Sequence, residues 1–206
     1  MLGSRLLVSA ILIPAFVGLC VVDHLLGTSA WVLLGLCLFL TVRSAYEFVD
    51  LLSVRNFQAS FPAIAGLSVL LIVSVWLGRH FSSPGTGWDS LPGLSLPMLV
   101  YALSVLALML WEASRFHAPG HSMESLGANL LGVSYIGVLL VLTTQLRWVA
   151  GAQAGYFTLA SLVICVKLGD IGAYTFGRLW GKKKMCPVLS PGKTWMGAVG
   201  ALVGGM

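Results

Sequence analysis

Of the 206 residues, 58% are hydrophobic and only 9% are charged, and the mean hydropathy is +0.94. Soluble domains average about 25% charged residues, so this chain has too few charges to cover a globular surface with polar groups. The composition therefore predicts an integral membrane protein and excludes an ordinary soluble domain. At about 20 residues per span plus loops, the length allows one bundle of six or seven transmembrane helices.

The apolar segments predict an all-α fold, a polytopic transmembrane helical bundle of about six complete spans and the start of a seventh. We expect it to form a single transmembrane domain over residues 1–206. The segments cover roughly 6–22, 30–42, 62–77, 96–111, 126–142 and 156–168, and the last begins near Trp195. The second is expected to continue as a helix through "RSAYEFVDLL". Because these stretches are short for spans, polar-tipped flanks such as Tyr46, Trp76 and Tyr135 are needed to extend them.

Several other features have structural interpretations. The first apolar run follows Arg5 without an evident cleavage site, so we interpret it as an uncleaved span. The glycine-, proline- and serine-rich stretch 82–97 predicts a surface loop. The cysteines lack CxxC or Cys/His metal spacing and are interpreted as small buried apolar side chains. They are Cys20, Cys37, Cys165 and Cys186.

Basic residues predict the orientation of the bundle. Five of the 12 Lys and Arg residues lie between Arg178 and Lys193, in and just before the connection "KKKMCPVLSPGKTW". With a cytoplasmic N-terminus, two basic residues fall in outside loops, Arg79 and Arg147, and nine fall in inside segments. The nine are Arg5, Arg43, Arg55, Arg115, Arg178, Lys182, Lys183, Lys184 and Lys193. This positive-inside bias predicts a cytoplasmic basic connection, so its lysines also have a purely topological interpretation.

Lys167 and Asp170 lie three residues apart at the end of the sixth apolar run, on one face of the predicted helix. Ionisable residues at such positions usually face a partner or a wet cavity. One interpretation is a self-neutralising pair that ends the span. The other is a polar site entered from the cytoplasm, in which Asp170 holds a metal ion or a proton.

The segment "SPGKT" predicts a turn at Pro191 and Gly192, followed by a helix that Thr194 caps. A helix N-terminus presents free N–H groups that suit a phosphate, and Lys193 adds a positive charge beside it. The pattern is not a Walker A loop, because Pro187 stands where the first glycine of that loop is required. A plain capped helix start and an anion site remain as alternatives.

Gly197, Gly200 and Gly204 leave one face of the last helix without side chains. In a membrane this pattern favours close helix packing, with close approach to a ligand as the alternative. A carboxylate, several cations and a helix N-terminus together suit a substrate with several phosphates. Mg²⁺ usually takes one or two carboxylates plus phosphate oxygens. These residues by themselves indicate membrane-embedded phosphoryl or nucleotidyl transfer.

Residues 169–205 resemble the phosphatidate cytidylyltransferase family, whose members are also called CDP-diacylglycerol synthases. That family has a D-x-x-A-Y-x-x-G-R-x-x-G-K segment followed by S-P-x-K-T-x-x-G, and "YEFVDLL" and "YIGVLLVLTTQLR" are weaker similarities. The matching positions are Asp170, Ala173, Tyr174, Gly177, Arg178, Gly181, Lys182, Ser190, Pro191, Lys193, Thr194 and Gly197. This specific part covers about a fifth of the chain.

The chain departs from the family pattern in two places. Met196 stands where the family usually has Glu, so a thioether replaces a carboxylate. A further family signature, which ends in Asp-Arg-x-Asp and is expected to supply most metal-binding aspartates, does not occur in residues 1–206. The resemblance therefore implies the N-terminal two-thirds of such an enzyme, with little or no activity in isolation.

The resemblance implies a nucleotidyltransferase that moves CMP from CTP to phosphatidic acid, giving CDP-diacylglycerol and pyrophosphate in phospholipid biosynthesis. It implies catalytic roles for Asp170 and Lys193, with Asp170 as the Mg²⁺ ligand. It also implies substrate-binding residues, which are Tyr174, Arg178, Lys182, Ser190 and Thr194. The expected partners are CTP, phosphatidic acid and membrane lipid, without nucleic acid, in the bacterial inner membrane. A homodimer is left open.

Two alternatives remain open. A CTP-dependent polyprenol or lipid kinase would share the spans and the cytoplasmic nucleotide loop, but it would transfer only phosphate. A non-enzymatic transporter subunit is expected to have paired inverted halves with polar residues near the middle of the membrane. No internal repeat is visible in the sequence, and the charges cluster towards one end.

Overall fold

A computed structural model describes residues 2–27, 29–54, 57–81, 94–116, 120, 122–149, 151–187 and 190–206, with only the backbone at 2–6, 80–81, 149 and 151–153. Its α-helices are α1 (Leu2–Leu25), α2 (Trp31–Ser53), α3 (Phe61–Phe81), α4 (Ser95–Arg115), α5 (Ser122–Gly132), α6 (Leu139–Val149), α7 (Gly151–Trp180) and α8 (Trp195–Gly205). A π-helical segment (Val133–Val138) joins α5 to α6. Two short strands, β1 (Lys184–Cys186) and β2 (Ser190–Thr194), precede α8.

Within the described residues, six helical stretches are long and apolar enough to cross a membrane. They are Leu7–Leu25, Trp31–Ser53, Phe61–Arg79, Ser95–Arg115, Ser122–Trp148 and Ala154–Trp180. At a rise of about 1.5 Å per residue, each is long enough, or nearly so, for a hydrocarbon core of about 30 Å. These stretches confirm the helical, multi-pass membrane fold. As expected, α2 continues through the segment "RSAYEFVDLL".

One interpretation and one local prediction are wrong. The Lys167–Asp170 pair does not end the sixth span, because α7 continues to Trp180 and places Asp170 well inside a helix. Pro191 and Gly192 do not form a turn, because both lie in β2. A two-stranded ribbon has only edge strands, where a proline without an N–H is tolerated. Arg55 and residues 82–93 of the predicted loop lie outside the described residues.

The chain forms two compact units. The terminal unit comprises Met1–Leu25 and Ala150–Met206, and the central unit comprises Leu26–Val149. In the terminal unit, α7 packs against both α1 and α8. At the α1 contact the hydroxyl of Tyr156 donates a hydrogen bond to Oδ2 of Asp23 at 2.8 Å, and the Asp23 side chain is buried.

The core of the central unit lies where α2 and α3 pack against the helix that contains the π segment. Ala45, Ile64 and Ile136 are buried there. Gly132 and Gly137, at the two ends of this segment, allow the close approach. A Cβ on Gly132 would lie 2.6 Å from Cδ1 of Ile64, and one on Gly137 would lie 2.7 Å from Cδ1 of Leu71. Large aliphatic side chains therefore fill the space above glycines.

Candidate functional site

The matching residues of the first motif lie on two faces of α7. Ala173 and Gly177, with Gly181 just beyond the helix, face the start of α8. A Cβ on Gly177 would lie 3.1 Å from the hydroxyl oxygen of Thr194, and one on Gly181 would lie 2.5 Å from the same atom. The spacing of the motif glycines is therefore explained by helix packing.

Towards the other end of α8, the two helices meet backbone to backbone. A Cβ on Gly172 would collide with the carbonyl oxygen of Gly200, and a Cβ on Gly200 with that of Gly172. A Cβ on Gly204 would lie 2.5 Å from the carbonyl oxygen of Leu168. These contacts confirm close helix packing as a role of the glycine face on α8.

Two charged residues of the first motif and the tyrosine between them form a ladder on a different face of α7. Asp170, Tyr174 and Arg178 follow at four-residue spacing, which aligns them along the helix and roughly opposite Gly172. Nη1 of Arg178 donates a hydrogen bond to the Tyr174 hydroxyl at 3.1 Å. Asp170 and Arg178 are exposed. No ion pair joins Asp170 to Lys167 within the described residues, so these two are not a self-neutralising pair.

The basic connection folds as an antiparallel ribbon, in which Lys184 lies opposite Thr194 and Cys186 opposite Ser190. Between these pairs β1 advances from 184 to 186 while β2 advances from 190 to 194, so the register shifts and β2 bulges. Lys193 lies in the bulged part. The four lysines of the ribbon and of the short segment before it are all exposed. They are Lys182, Lys183, Lys184 and Lys193.

Thr194 joins the ribbon to α8. Its side chain is buried, and its Oγ1 accepts a hydrogen bond from the Gly197 N–H at 3.1 Å, which confirms the predicted N-cap. The Trp195 N–H donates to the carbonyl oxygen of Lys183 at 3.2 Å. Two of the first N–H groups of α8 therefore have partners inside the chain. This arrangement favours the capped helix start over an anion site on these N–H groups.

The structure places the predicted site residues in two sets. Asp170, Tyr174 and Arg178 form the ladder on α7, whereas Lys182, Ser190 and Lys193 lie in or beside the ribbon. The helical rise puts Asp170 about 15 Å from the end of α7 that leads into the ribbon. Asp170 and Lys193 are not hydrogen-bonded or ion-paired to each other in the part of the chain that the structure describes.

Asp170 offers one carboxylate to a metal. Among the described residues, no group of three or more His, Cys, Asp or Glu side chains could hold a metal ion. A single exposed carboxylate fits Mg²⁺ when phosphate oxygens and water supply the other ligands. The donor set therefore fits a metal that is shared with a nucleotide and does not form a protein cage.

Two buried polar residues, Asp23 and Asn129, were not predicted from the sequence. Asp23 is 1% exposed and accepts a hydrogen bond from Tyr156. Asn129 is 6% exposed, and its Oδ1 accepts a hydrogen bond from the Ser60 N–H at 2.8 Å. The available signal was the same for both, namely a polar residue within or next to a long apolar run.

A family model described as the cytidylyltransferase family matches residues 3–206. The chain belongs to the cytidylyltransferase family. This match extends well beyond the motif segment and includes both units. No solved structure matches the chain.

Several curated proteins named phosphatidate cytidylyltransferase are similar to this cytidylyltransferase-family chain. One from Brucella suis is 28% identical over 177 residues, which cover 84% of this chain and 54% of the relative. One from Staphylococcus saprophyticus is 31% identical over 133 residues, or 53% of this chain and 49% of the relative. One from Haemophilus influenzae is 47% identical over 49 residues, which cover 24% of this chain and 17% of the relative. The chain spans about half the length of the curated relatives that it matches over most of its own length.

Proposed function

We propose that this chain carries out, or forms part of an enzyme that carries out, transfer of CMP from CTP to phosphatidic acid. The products are CDP-diacylglycerol and pyrophosphate. The observation that carries this proposal is the assembly of the family's matching motif residues in one packed element, made of α7, the ribbon and α8. The names of the relatives support the choice of lipid substrate.

The proposed site faces the cytoplasm, where CTP is present. Six candidate spans precede or include α7, so an N-terminus inside the cell puts the ribbon inside as well. The excess of basic residues in the predicted inside segments supports this orientation in a bacterial inner membrane. Exposed lysines near an anionic leaflet each contribute about 1 kcal/mol of attraction to anionic groups.

The reaction needs no covalent protein nucleophile. A phosphate oxygen of phosphatidic acid forms a bond to the α-phosphorus of CTP, the bond to the bridging oxygen breaks, and pyrophosphate leaves with that oxygen. The protein therefore acts by positioning the phosphates and by neutralising their charge. Lys193 and Lys182 provide ammonium groups on the ribbon, and Arg178 provides a guanidinium that Tyr174 holds in place.

Asp170 is the proposed Mg²⁺ ligand on α7, together with phosphate oxygens of the substrate. A bound Mg²⁺ would add charge neutralisation at the transferring phosphoryl group. Ser190, half-buried in β2, is a proposed hydrogen-bond donor to the substrate. Thr194 is proposed to act through the ribbon, because its buried hydroxyl already caps α8. Met196 supplies no carboxylate. Asp170 is therefore the acidic residue that lies nearest to the ribbon and α8 in the sequence.

A chimera tests this proposal independently of chain length. Residues 1–206 replace the matching segment of the Brucella suis relative, and the chimera is reconstituted with phosphatidic acid. CTP labelled at the α-phosphate should transfer its label to lipid, whereas CTP labelled at the γ-phosphate should not. Asp170→Asn and Lys193→Ala should each lower the rate at least about 100-fold, because each removes charge stabilisation of the transition state.

Arg43→Gln is the matched control, because Arg43 forms an exposed ion pair with Glu47 on α2 and neither residue is among the proposed site residues. It should leave the rate unchanged. Transfer of the γ-label to lipid would instead identify a lipid kinase. Rates of Asp170→Asn and Lys193→Ala within a few-fold of the parent chimera would rule out the proposed roles.

A further inference from the structure

A polar cleft of about 520 Å³ opens at one end of the central unit. It is formed by the segment before α3, the last turn of α4 and the first two turns of α5. Its volume is within the range of about 300–1,000 Å³ that is usual for ligand pockets. None of the predicted site residues lines it.

The cleft is lined by polar groups of two largely buried residues, and these groups are available to a ligand. Ser125 is 8% exposed, and its hydroxyl makes no hydrogen bond to any residue that the structure describes. Asn129 also lines the cleft, and the hydrogen bond from the Ser60 N–H to its Oδ1 fixes the amide and leaves its two N–H donors. The Ser125 oxygen is accessible from the cleft, so a ligand or water in the cleft can hydrogen-bond to it.

Two opposite charges line the same cleft. Glu112 and Arg115 are three residues apart in the last turns of α4. The guanidinium carbon of Arg115 lies 4.5 Å from the centroid of the Trp111 ring, which supports the side chain beside the cleft. Glu112 makes no ion pair within the described part of the chain. A carboxylate and a guanidinium in one cleft complement a ligand that carries both charges.

We propose that this cleft binds a phosphate ester that carries a primary ammonium group, in the form of an aminophospholipid headgroup. Arg115, Ser125 and the amide of Asn129 donate hydrogen bonds to the phosphate. Glu112 accepts hydrogen bonds from the ammonium. The lipid form is favoured because the cleft lies at the ends of apolar spans, beside the half-exposed ring of Trp111. Tryptophan is enriched at the membrane–water interface.

Native mass spectrometry of the detergent-purified chain tests this assignment with phosphatidylethanolamine and phosphatidylglycerol. Glu112→Gln should weaken binding of phosphatidylethanolamine about tenfold, as expected for loss of a charged hydrogen bond, and leave phosphatidylglycerol unchanged. Arg115→Gln should weaken both lipids. Ser125→Leu should also weaken both, because the larger side chain fills the cleft.

The matched controls are Glu47→Gln and Arg43→Gln, which remove the same charges from an exposed pair on α2 with N and O 2.8 Å apart. They should leave binding of both lipids unchanged. Equal effects of Glu112→Gln and Glu47→Gln, or equal binding of the two lipids by the parent chain, would overturn the proposal. If Ser125→Leu loses helicity, the two variants of similar shape, Glu112→Gln and Arg115→Gln, decide the result.

Competition with free phosphoethanolamine distinguishes a lipid headgroup from a soluble aminoalkyl phosphate as the ligand of the cleft. With a lipid headgroup as the ligand, free phosphoethanolamine should fail to displace phosphatidylethanolamine at equal concentration. Displacement at equal concentration would overturn the assignment to a lipid and assign the cleft to a soluble aminoalkyl phosphate. In that case Glu112→Gln should weaken the soluble ligand by the same factor.

Discussion

The two units bring their helices together in different ways. In the terminal unit α7 and α8 meet backbone to backbone at Gly172 and Gly200, with the Phe176 side chain beside Gly200. In the central unit Ile64 and Leu71 of α3 fill the space above Gly132 and Gly137. A side chain can change rotamer or be shortened by mutation, whereas two backbones in contact have nothing left to remove. Added volume should therefore be less well tolerated in the terminal unit.

Gly172→Leu should give the largest effect. The new side chain has to enter the space of the Gly200 carbonyl, so α7 and α8 must separate along their shared face. Overpacking of this kind typically costs up to about 3 kcal/mol. We expect a loss of that size in the free energy of unfolding, measured by titration with denaturing detergent in mixed micelles. Gly35→Leu is the matched control.

Gly35 is also a glycine within a membrane-length helix, but a Cβ there would meet nothing within 4 Å. Its replacement should therefore leave the free energy of unfolding nearly unchanged. A similar loss for the two variants would show that leucine itself, and not the backbone contact, destabilises the protein. The comparison between the units would then fail.

Gly132→Ala should be destabilising but partly repairable. Its Cβ would lie 2.6 Å from Cδ1 and 2.9 Å from Cγ1 of Ile64, so the contact is with a side chain and not with backbone. We expect a loss of about 1–2 kcal/mol from the single substitution. Adding Ile64→Val removes Cδ1, so the double variant should be more stable than the sum of the two single effects predicts. A thermodynamic double-mutant cycle measures this coupling.

No equivalent repair exists for Gly172, because the nearest atoms to its added Cβ belong to the backbone of Gly200 and Gly204. Gly172→Ala combined with Gly200→Ala should be at least as unstable as the sum of the single variants. Strict additivity in the Gly132–Ile64 cycle would contradict the proposed side-chain contact.

The sequence indicated the close packing of α8 but not its partner surface. Gly197, Gly200 and Gly204 repeat at helical spacing, which was enough to predict a face without side chains. Gly172 and Gly177 lie in a segment that also carries Asp170, Tyr174 and Arg178, so their packing role was hidden among residues that suggest chemistry. Because α7 continues to Trp180, the glycines lie on one face of this helix and pack against α8, whereas the residues that suggest chemistry lie on another face.

The ribbon and the cleft show what local sequence patterns omit. Pro191 and Gly192 favour a turn by local propensity, but pairing of β2 with β1 places them in a bulged strand. The cleft depends on segments that are distant in sequence, since Ser60 and Asn129 are 69 positions apart. Periodicity reports which residues share a helix face, but it does not report which helix ends meet.

Thr194→Val tests how the terminal unit joins its ribbon to α8. Valine keeps the shape of threonine but cannot accept the hydrogen bond from the Gly197 N–H. Loss of an N-cap typically lowers the free energy of unfolding by about 1 kcal/mol. Amide hydrogen exchange at Gly197 should also become faster. Thr194→Ser retains the hydroxyl and should restore most of the protection, unless packing of the methyl group is the dominant contribution.

The smallest effects on stability are expected for two tyrosine hydroxyls, one in each unit. In the central unit the Tyr101 hydroxyl and Oγ of Ser134 are 2.7 Å apart and link α4 to the π segment. In the terminal unit the Tyr174 hydroxyl accepts a hydrogen bond from an exposed Arg178 within one helix. Tyr101→Phe should lower the free energy of unfolding by about 0.6 kcal/mol, the average for interhelical hydrogen bonds in membranes.

Tyr174→Phe should leave stability unchanged within the error of the measurement, because the lost bond is local and exposed to solvent. In the proposed enzyme Tyr174→Phe should instead weaken binding of CTP, because Arg178 loses the hydroxyl that orients its guanidinium. We expect the CTP concentration for half-maximal rate of the chimera to rise a few-fold, with no such rise for Tyr101→Phe. A loss of stability without any change in CTP dependence would mean that the ladder on α7 is structural, as the contacts in the central unit are.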